Sequence, residues 1–179
     1  TGFENGDEEA DLDTGVSISR AAGEDVDTYT ITPSAAADSN YTVSFVTADF
    51  TITAAALTVT ADADQTKVYG ATDPTLTYSI TGFENGDEEA DLDTGVSILR
   101  AAGEDVDTYT ITPSAAADSN YTVSFVTADF TITAAALTVT ADADQTKVYG
   151  ATDPTLTYSI TGFENGDEEA DLDTGVSIL

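Results

Sequence analysis

The chain has 179 residues, with 34 acidic against four basic side chains, a net charge of −30, and no Cys, His, Met or Trp. Such a charge repels nucleic acid and anionic lipid, and no apolar run is long enough to cross a bilayer, so we expect neither nucleic-acid binding nor membrane insertion. Disulfides are excluded, as are the metal sites and nucleophile–base pairs that depend on His or Cys.

The sequence repeats itself with a period of 80 residues. Residue 81 restarts the text of residue 1, residue 161 restarts it again, and the overlaid stretches differ only at Ser19 against Leu99. A repeat of this length indicates an array of similar domains. We therefore predict one complete repeat at 57–136. Residues 1–56 are the C-terminal part of a repeat, and residues 137–179 are the N-terminal part of another.

The first half of the complete repeat alternates apolar residues with Thr or Ser, which is typical of half-buried strands. Strands are predicted at 57–61, 67–70 and 76–80. A turn is predicted between the last two, because Asp and Pro favour turns. The acidic loop from Glu84 to Gly95 opens on an Asn-Gly turn and is predicted to close at most a single helical turn.

The second half continues the same alternation. Strands are predicted from Val96 into Arg100, at 109–111 before Pro113, at 121–125 and at 130–132, and a loop with a short helix as an alternative is predicted at 113–120. About seven short strands at this spacing predict an all-β fold of tandem small Ig-like β-sandwich domains.

The alternation also predicts which side chains face inward. Position 99 should face outward, because Ile98 is the apolar member of its pair. The predicted core consists of Leu57, Val59, Leu76, Tyr78, Ile80, Val96, Ile98, Tyr109, Ile111, Tyr121, Val123, Phe125, Phe130 and Ile132. Between repeats, the three alanines at 134–136 are too short to act as a flexible coil, which predicts a nearly fixed joint.

The segment Lys67-Val-Tyr-Gly-Ala-Thr-Asp-Pro74 resembles the start of the MBG-type (YGX-type) repeats of large bacterial surface adhesins. Residues 102–111 and 119–132 look like the middle and end of such a repeat. Two positions depart from that pattern: Asp107 stands where Gly is expected, and the alanine joint stands where Pro is common. The resemblance implies a cell-surface or secreted protein with a repetitive body, and it transfers no catalytic residues. A β-grasp-like repeat with one short helix over residues 84–94 is the alternative fold.

Pairs of carboxylates two residues apart are the candidates for metal binding. Calcium needs six to eight oxygen ligands, and a lone pair of acids supplies too few. The Asp91-x-Asp93-x-Gly95 run superficially resembles an EF-hand loop but lacks its later glutamate. We predict no metal site and a solvated acidic surface, with calcium at the joint as the alternative. The pairs are Asp62 and Asp64, Asp91 and Asp93, and Asp105 and Asp107.

Lys67 is the sole lysine of the complete repeat. It could form an intramolecular isopeptide bond, for which Asn85 and Asn120 supply the amides. The favoured reading is structural, with the lysine stem packed on the sheet and the ammonium among surface acids. Tyr109 and Tyr121 are predicted core residues, each a few positions after an Asp, in an arrangement resembling a tyrosine corner.

These observations predict a non-enzymatic extracellular structural repeat that forms the rod-like stalk or filament of a bacterial surface adhesin or matrix fibre. The alternative is a repeated low-affinity carbohydrate- or mucin-binding module that acts by avidity. Glycosidase chemistry by paired carboxylates is disfavoured, because the pairs recur in every copy without a Trp-lined cleft. We expect no catalytic residue and no cofactor. The expected partners are identical neighbouring repeats or chains that complete the two end units.

Overall fold

The computed structural model describes residues 2–177, and within them the chain is all-β. Apart from single 3₁₀ turns at Glu9–Asp11, Glu89–Asp91 and Glu169–Asp171, the described chain has no helix, and none is long and apolar enough to cross a membrane. The strands are β1 (Ser17–Arg20), β2 (Thr28–Ser34), β3 (Ala48–Thr51), β4 (Ala55–Ala61), β5 (Gln65–Val68), β6 (Tyr78–Thr81), β7 (Ser97–Arg100), β8 (Thr108–Ser114), β9 (Tyr121–Val126), β10 (Ala128–Thr133), β11 (Thr138–Ala141) and β12 (Tyr158–Thr161).

The complete repeat carries the seven strands β4 to β10, which confirms the all-β sandwich predicted from the alternation. One sheet has the order β5-β10-β8-β7 and the other the order β6-β4-β9. In the first sheet β10 pairs antiparallel with β8 and parallel with β5, and β7 pairs antiparallel with β8. Alternate residues of each strand therefore face the same side, and the apolar set can be buried on one face.

The chain divides into two compact units. The first unit consists of the chain up to Thr58 together with Ile80–Gly95 and Ala115–Ser124. The second unit consists of Val59–Ser79, Val96–Ser114 and the chain from Phe125 onward. Each unit draws on more than one repeat, so the repeat boundaries at 57 and 136 stay a prediction from the sequence.

The core of the second unit joins both sheets of the complete repeat. Ala61 of β4 packs with Ile111 of β8 and with Phe130 and Ile132 of β10. Half-buried Tyr69, Leu76, Ile98, Tyr109 and Ala128 surround this cluster. In the first unit Leu57 and Tyr121 are also buried. Most of the predicted core is therefore buried or half-buried, as the alternation requires.

Three sequence predictions differ from the structure. Phe125 is 40 % exposed rather than inward. Strand β8 continues through Pro113 to Ser114, with Pro113 opposite Ile98 on β7, and residues 113–120 form no helix. The 84–94 loop contains only the three-residue turn Glu89–Asp91, so the β-grasp-like alternative is not supported. The outward position of Leu99 is confirmed, because that side chain is 70 % exposed.

Candidate functional site

The two basic residues of the complete repeat meet two acids in one ion cluster, which consists of Lys67, Asp73, Arg100 and Glu104. Lys67 extends from β5, and its Nζ lies 2.7 Å from Asp73 Oδ1 and also contacts Glu104. Arg100 at the end of β7 donates from Nε to Asp73 Oδ2 (2.6 Å) and from Nη2 to Glu104 Oε1 (2.6 Å). Both acids are therefore shared by both bases.

Arg100 is also held by backbone and aromatic groups. Its Nη1 donates to the carbonyl of Gly103 at 2.7 Å, which closes the loop after β7. Its guanidinium carbon lies 5.3 Å from the centre of the Tyr109 ring and 5.2 Å from that of Phe130. Cation–π contacts of this kind are stronger where water is excluded, and the Arg100 side chain is buried. The cluster thus joins β5, β7 and two loops to the apolar core.

The ion pairs set the charge states of the cluster. Hydrogen bonds from Arg100 and then Lys67 lower the pKa of Asp73 to about 2, and those from Lys67 and Arg100 lower the pKa of Glu104. The same contacts, with Asp73 first, raise the pKa of Lys67. General acid catalysis needs a carboxyl whose pKa is raised toward neutrality. These carboxyls are shifted in the opposite direction, so the cluster is suited to holding loops in place.

The same pKa shifts bear on the isopeptide hypothesis. Amide formation needs a neutral lysine amine and an uncharged carbonyl partner. Lys67 is stabilised as an ammonium, and both of its carboxyl partners, Asp73 and Glu104, are stabilised as carboxylates. The two candidate amides are engaged elsewhere or lie in a turn: Asn120 bonds Val26, and Asn85 adopts a left-handed backbone at φ 55°. The structural reading of Lys67 is the one that the geometry favours.

The paired carboxylates are dispersed over separate loops, where they accept bonds from nearby backbone. Asp91 Oδ2 accepts from the Glu88 N–H at 2.8 Å, and Asp93 Oδ2 from the Ser119 N–H at 3.0 Å. Asp107 Oδ1 accepts from the adjacent N–H of Thr108. Among residues 2–177, no group of three or more acids is arranged to hold a metal ion. These acids serve as loop-stabilising acceptors.

The two core tyrosines make different contacts. Tyr109 Oη donates to the carbonyl of Asp105 at 2.9 Å, four residues upstream, as in a tyrosine corner. Tyr121 stacks edge-on against Phe83, with ring centres 5.9 Å apart, and its Oη donates to Asp87 Oδ2 at 2.7 Å. Tyr121 thus fixes the acidic 84–94 loop against the start of β9.

Within the first compact unit, Asn120 joins the complete repeat to the preceding one. Its Oδ1 accepts from the Val26 N–H at 2.8 Å, and its Nδ2 donates to Asp25 Oδ1 at 3.3 Å. Its backbone carbonyl accepts from the N–H of Ala55, at the start of β4, at 3.0 Å. The side chain and backbone carbonyl of Asn120 therefore bond three residues of the preceding repeat, Asp25, Val26 and Ala55.

The second compact unit contains a joint with the following repeat. Tyr69 Oη donates to Asp167 Oδ2 at 2.9 Å, and Gly70, at φ 84°, lies directly against Glu164. An open cavity of about 340 Å³ lies here, lined by Tyr69, Leu137, Phe163 and several acids. Tyr69 and Gly70 belong to the Lys-x-Tyr-Gly motif, so the same motif supplies both an ion pair and a joint contact.

Sequence reasoning missed the role of Arg100 and Glu104. Lys67 and Asp73 were visible as a motif, but their partners lie 27 or more residues further along the chain. The composition contains one signal: in a repeat with 14 acids and only two bases, each base is expected to pair with carboxylates. The joint role of Asn120 had no sequence signal, because it depends on the neighbouring repeat.

Comparison with known proteins gives one result. The family model described as MBG domain (YGX type) matches three times, over residues 1–51, 57–131 and 137–178. No curated protein and no solved structure matches the chain. The matches cover most of the sequence and follow the 80-residue period, so the chain belongs to the MBG domain (YGX type) family as a tandem repeat.

Proposed function

We propose that this chain is part of a non-enzymatic extracellular stalk or filament, in a bacterial surface adhesin or matrix fibre. Each repeat acts as a structural unit, and the joints between repeats keep the array extended. The observation that carries the proposal is the Asn120 contact to Val26, Asp25 and Ala55 of the preceding repeat. Multiple hydrogen bonds across a short joint restrict rotation, which a flexible linker would permit.

The residues that make these joints recur with the 80-residue period. Asn120 repeats Asn40, and Tyr69 repeats Tyr149, so a longer array can form the same contacts at each joint. The surface charge supports the same function. Both bases of the repeat, Lys67 and Arg100, pair with Asp73 and Glu104 in the ion cluster, so the other 12 acids of the repeat have no basic partner within it. Repulsion between these negative charges keeps neighbouring filaments apart.

The test is a distance measurement across the first joint. The chain has no Cys, so Ser19→Cys with Leu99→Cys places spin labels at two exposed positions one period apart. A fixed joint gives a narrow distribution of label distances. Asn120→Ala should broaden it, whereas Asn40→Ala, the same position one period earlier, should not. A broad distribution in the unmodified background would overturn the proposal.

The alternative function is weak binding of carbohydrate, multiplied by repetition. Sugar sites need exposed aromatic rings beside polar groups. In residues 57–136, all of which the structure describes, Phe125 is the one large aromatic that is exposed. One ring per repeat offers little stacking surface, so the stalk is the function that the geometry supports better.

A further inference from the structure

The first strand of the complete repeat, β4, lies beside β9, the strand before last. The N–H of Ala55, at the start of β4, donates to the carbonyl of Asn120 at 3.0 Å. Further along both strands, Thr58 Oγ1 and Ser124 Oγ lie 3.1 Å apart, and Ser124 Oγ also donates to the Leu57 carbonyl at 3.2 Å. Residue numbers rise together along the two strands, so β4 and β9 run parallel.

The same parallel pairing continues in the other sheet. There β10 pairs with β5, from Phe130 opposite Gln65 to Thr133 opposite Val68, and Thr133 Oγ1 donates to the Lys67 carbonyl at 3.2 Å. The offset in residue number is the same as at the start of β4. Three residues link β4 to β5, and a single residue links β9 to β10. The segment that begins the repeat is therefore paired in parallel with the segment that ends it, in both sheets.

This pairing decides how tension along an array acts on a repeat. Tension enters at one alanine joint and leaves at the next, so it pulls β4 toward its N-terminus from Ala54 and β10 toward its C-terminus from Ala134. Because the paired strands are parallel, the two pulls oppose each other along the strand axis. The evenly spaced hydrogen bonds of a parallel ladder then share the load, whereas a pull across a sheet breaks them one after another.

Sliding of either terminal strand would also expose the core. The side chains that face inward from β4 and β10 are at most 1 % exposed, and they are Leu57, Val59, Phe130 and Ile132. A slip of one residue turns every side chain of a strand to the opposite face of the sheet, so partly slipped states are unfavourable. Hydrogen bonds and burial therefore fail together, and the repeat should open in a single step.

We propose that the complete repeat is a load-bearing module, which resists tension along the array by shear of the β4–β9 and β10–β5 ladders. The ion cluster supports the second ladder, because Lys67 of β5 contacts Glu104 in the loop after β7 and so ties the two edges of that sheet together. This inference rests on the proposed function, since a stalk that is fixed at one end and holds a surface at the other carries such tension.

The experiment is force spectroscopy of the whole chain in two pulling directions. The chain has no Cys, so Ala54→Cys with Ala134→Cys attaches handles at two exposed joint positions, with both ladders between them. Val68→Cys with Leu99→Cys attaches the handles to exposed positions on the edge strands β5 and β7, so that the pull crosses the sheet. Complete opening should release about 280 Å of extended chain in the first geometry and about 110 Å in the second.

At the same pulling speed, rupture between the joints should need about twice the force of rupture across the sheet, or more. Rupture between the joints at an equal or lower force overturns the proposal. That failure is distinguishable from failure of the stalk proposal, because the label distances between positions 19 and 99 are measured without load. A narrow distribution of label distances together with weak rupture would remove only the load-bearing role.

Loss of ladder hydroxyls tests which strands carry the load. Ser124→Ala with Thr133→Val removes the side-chain hydrogen bonds of both ladders. Ser114→Ala is the matched control, because Ser114 Oγ donates to the Ser97 carbonyl at 3.4 Å between β7 and β8, outside the ladders. Under a constant force between the joints, the double variant should open about tenfold faster and the control less than about twofold faster. Equal opening rates in the two variants would overturn the assignment of the load to the ladders.

Discussion

Replacing Phe130 by Ala tests whether the ion cluster and the core form one structural unit. Phe130 is fully buried on β10, packs in the core with Ile111 and Ile132, and carries Arg100 over its ring. Truncating a buried Phe costs about 3–5 kcal/mol, from lost burial and the cavity left behind. An 80-residue domain has a free energy of unfolding of only about 4–12 kcal/mol, so the loss is a large fraction of it.

The chain contains its own control for this change. Phe50 occupies the same position one period earlier, also beneath an arginine, but is 41 % exposed. Because 41 % of the Phe50 side chain is already exposed to water, Phe50→Ala should cost only about 1–2 kcal/mol. The two variants therefore differ in burial and not in local sequence.

Native-state hydrogen exchange measures the effect of each variant on the strand beside the changed residue. The amides of β8 should lose about 3–5 kcal/mol of protection in Phe130→Ala, and those of β2 about 1–2 kcal/mol in Phe50→Ala. Equal losses in the two variants, or a loss of less than about 1 kcal/mol in β8, would refute the reasoning that burial and not sequence sets the stability of each copy.

Three further predictions follow from single contacts. Gly82→Ala should destabilise the first unit by about 2–3 kcal/mol, because Gly82 has φ 105° and an added Cβ would overlap the Ala56 carbonyl. Gly95→Ala is the control and should cost less than about 0.5 kcal/mol, because an added Cβ there meets open space. Urea titration of the two variants measures this difference. The pKa of Asp73 is lowered to about 2, so the stability that its ion pairs give the fold is complete above about pH 4 and is lost as pH falls through about 2. Because the Asp73 side chain is partly exposed, this contribution is small. The unfolding free energies of the unmodified chain and of Asp73→Asn should therefore differ by about 1 kcal/mol at pH 6 and by near zero at about pH 2. Intact mass should equal the sequence mass, because Lys67 and its neighbouring carboxyl are held charged; a mass lower by one water or one ammonia would contradict this.

The sequence predicted the elements of the fold better than their connections. Period-two alternation located all seven strands of the complete repeat, because each strand buries one face and exposes the other. The pattern failed at Phe125, which has the right spacing but lies near the end of β9 and stays exposed. The sequence also predicts a strand end at Pro113, whereas β8 continues through Pro113 to Ser114.

The candidate sites were predictable only in part. The favoured reading of Lys67, with its ammonium among acids, agrees with the structure, because a base in so acidic a repeat finds a carboxylate wherever it lies. That Arg100 would share the same acids could not be read from the sequence, since no local rule connects β5 with the end of β7. The bond from Asn120 to Val26 was similarly hidden, because it joins residues 94 positions apart in different copies.

The central claim is that the repeat builds length and stiffness, and small-angle X-ray scattering on arrays of two, four and eight complete repeats tests it most directly. If the joints are fixed, the radius of gyration should nearly double each time the number of repeats doubles. Freely jointed repeats would instead give an increase of about 1.4-fold per doubling, as for a random chain. The first result is the one we predict, and the second would contradict the account.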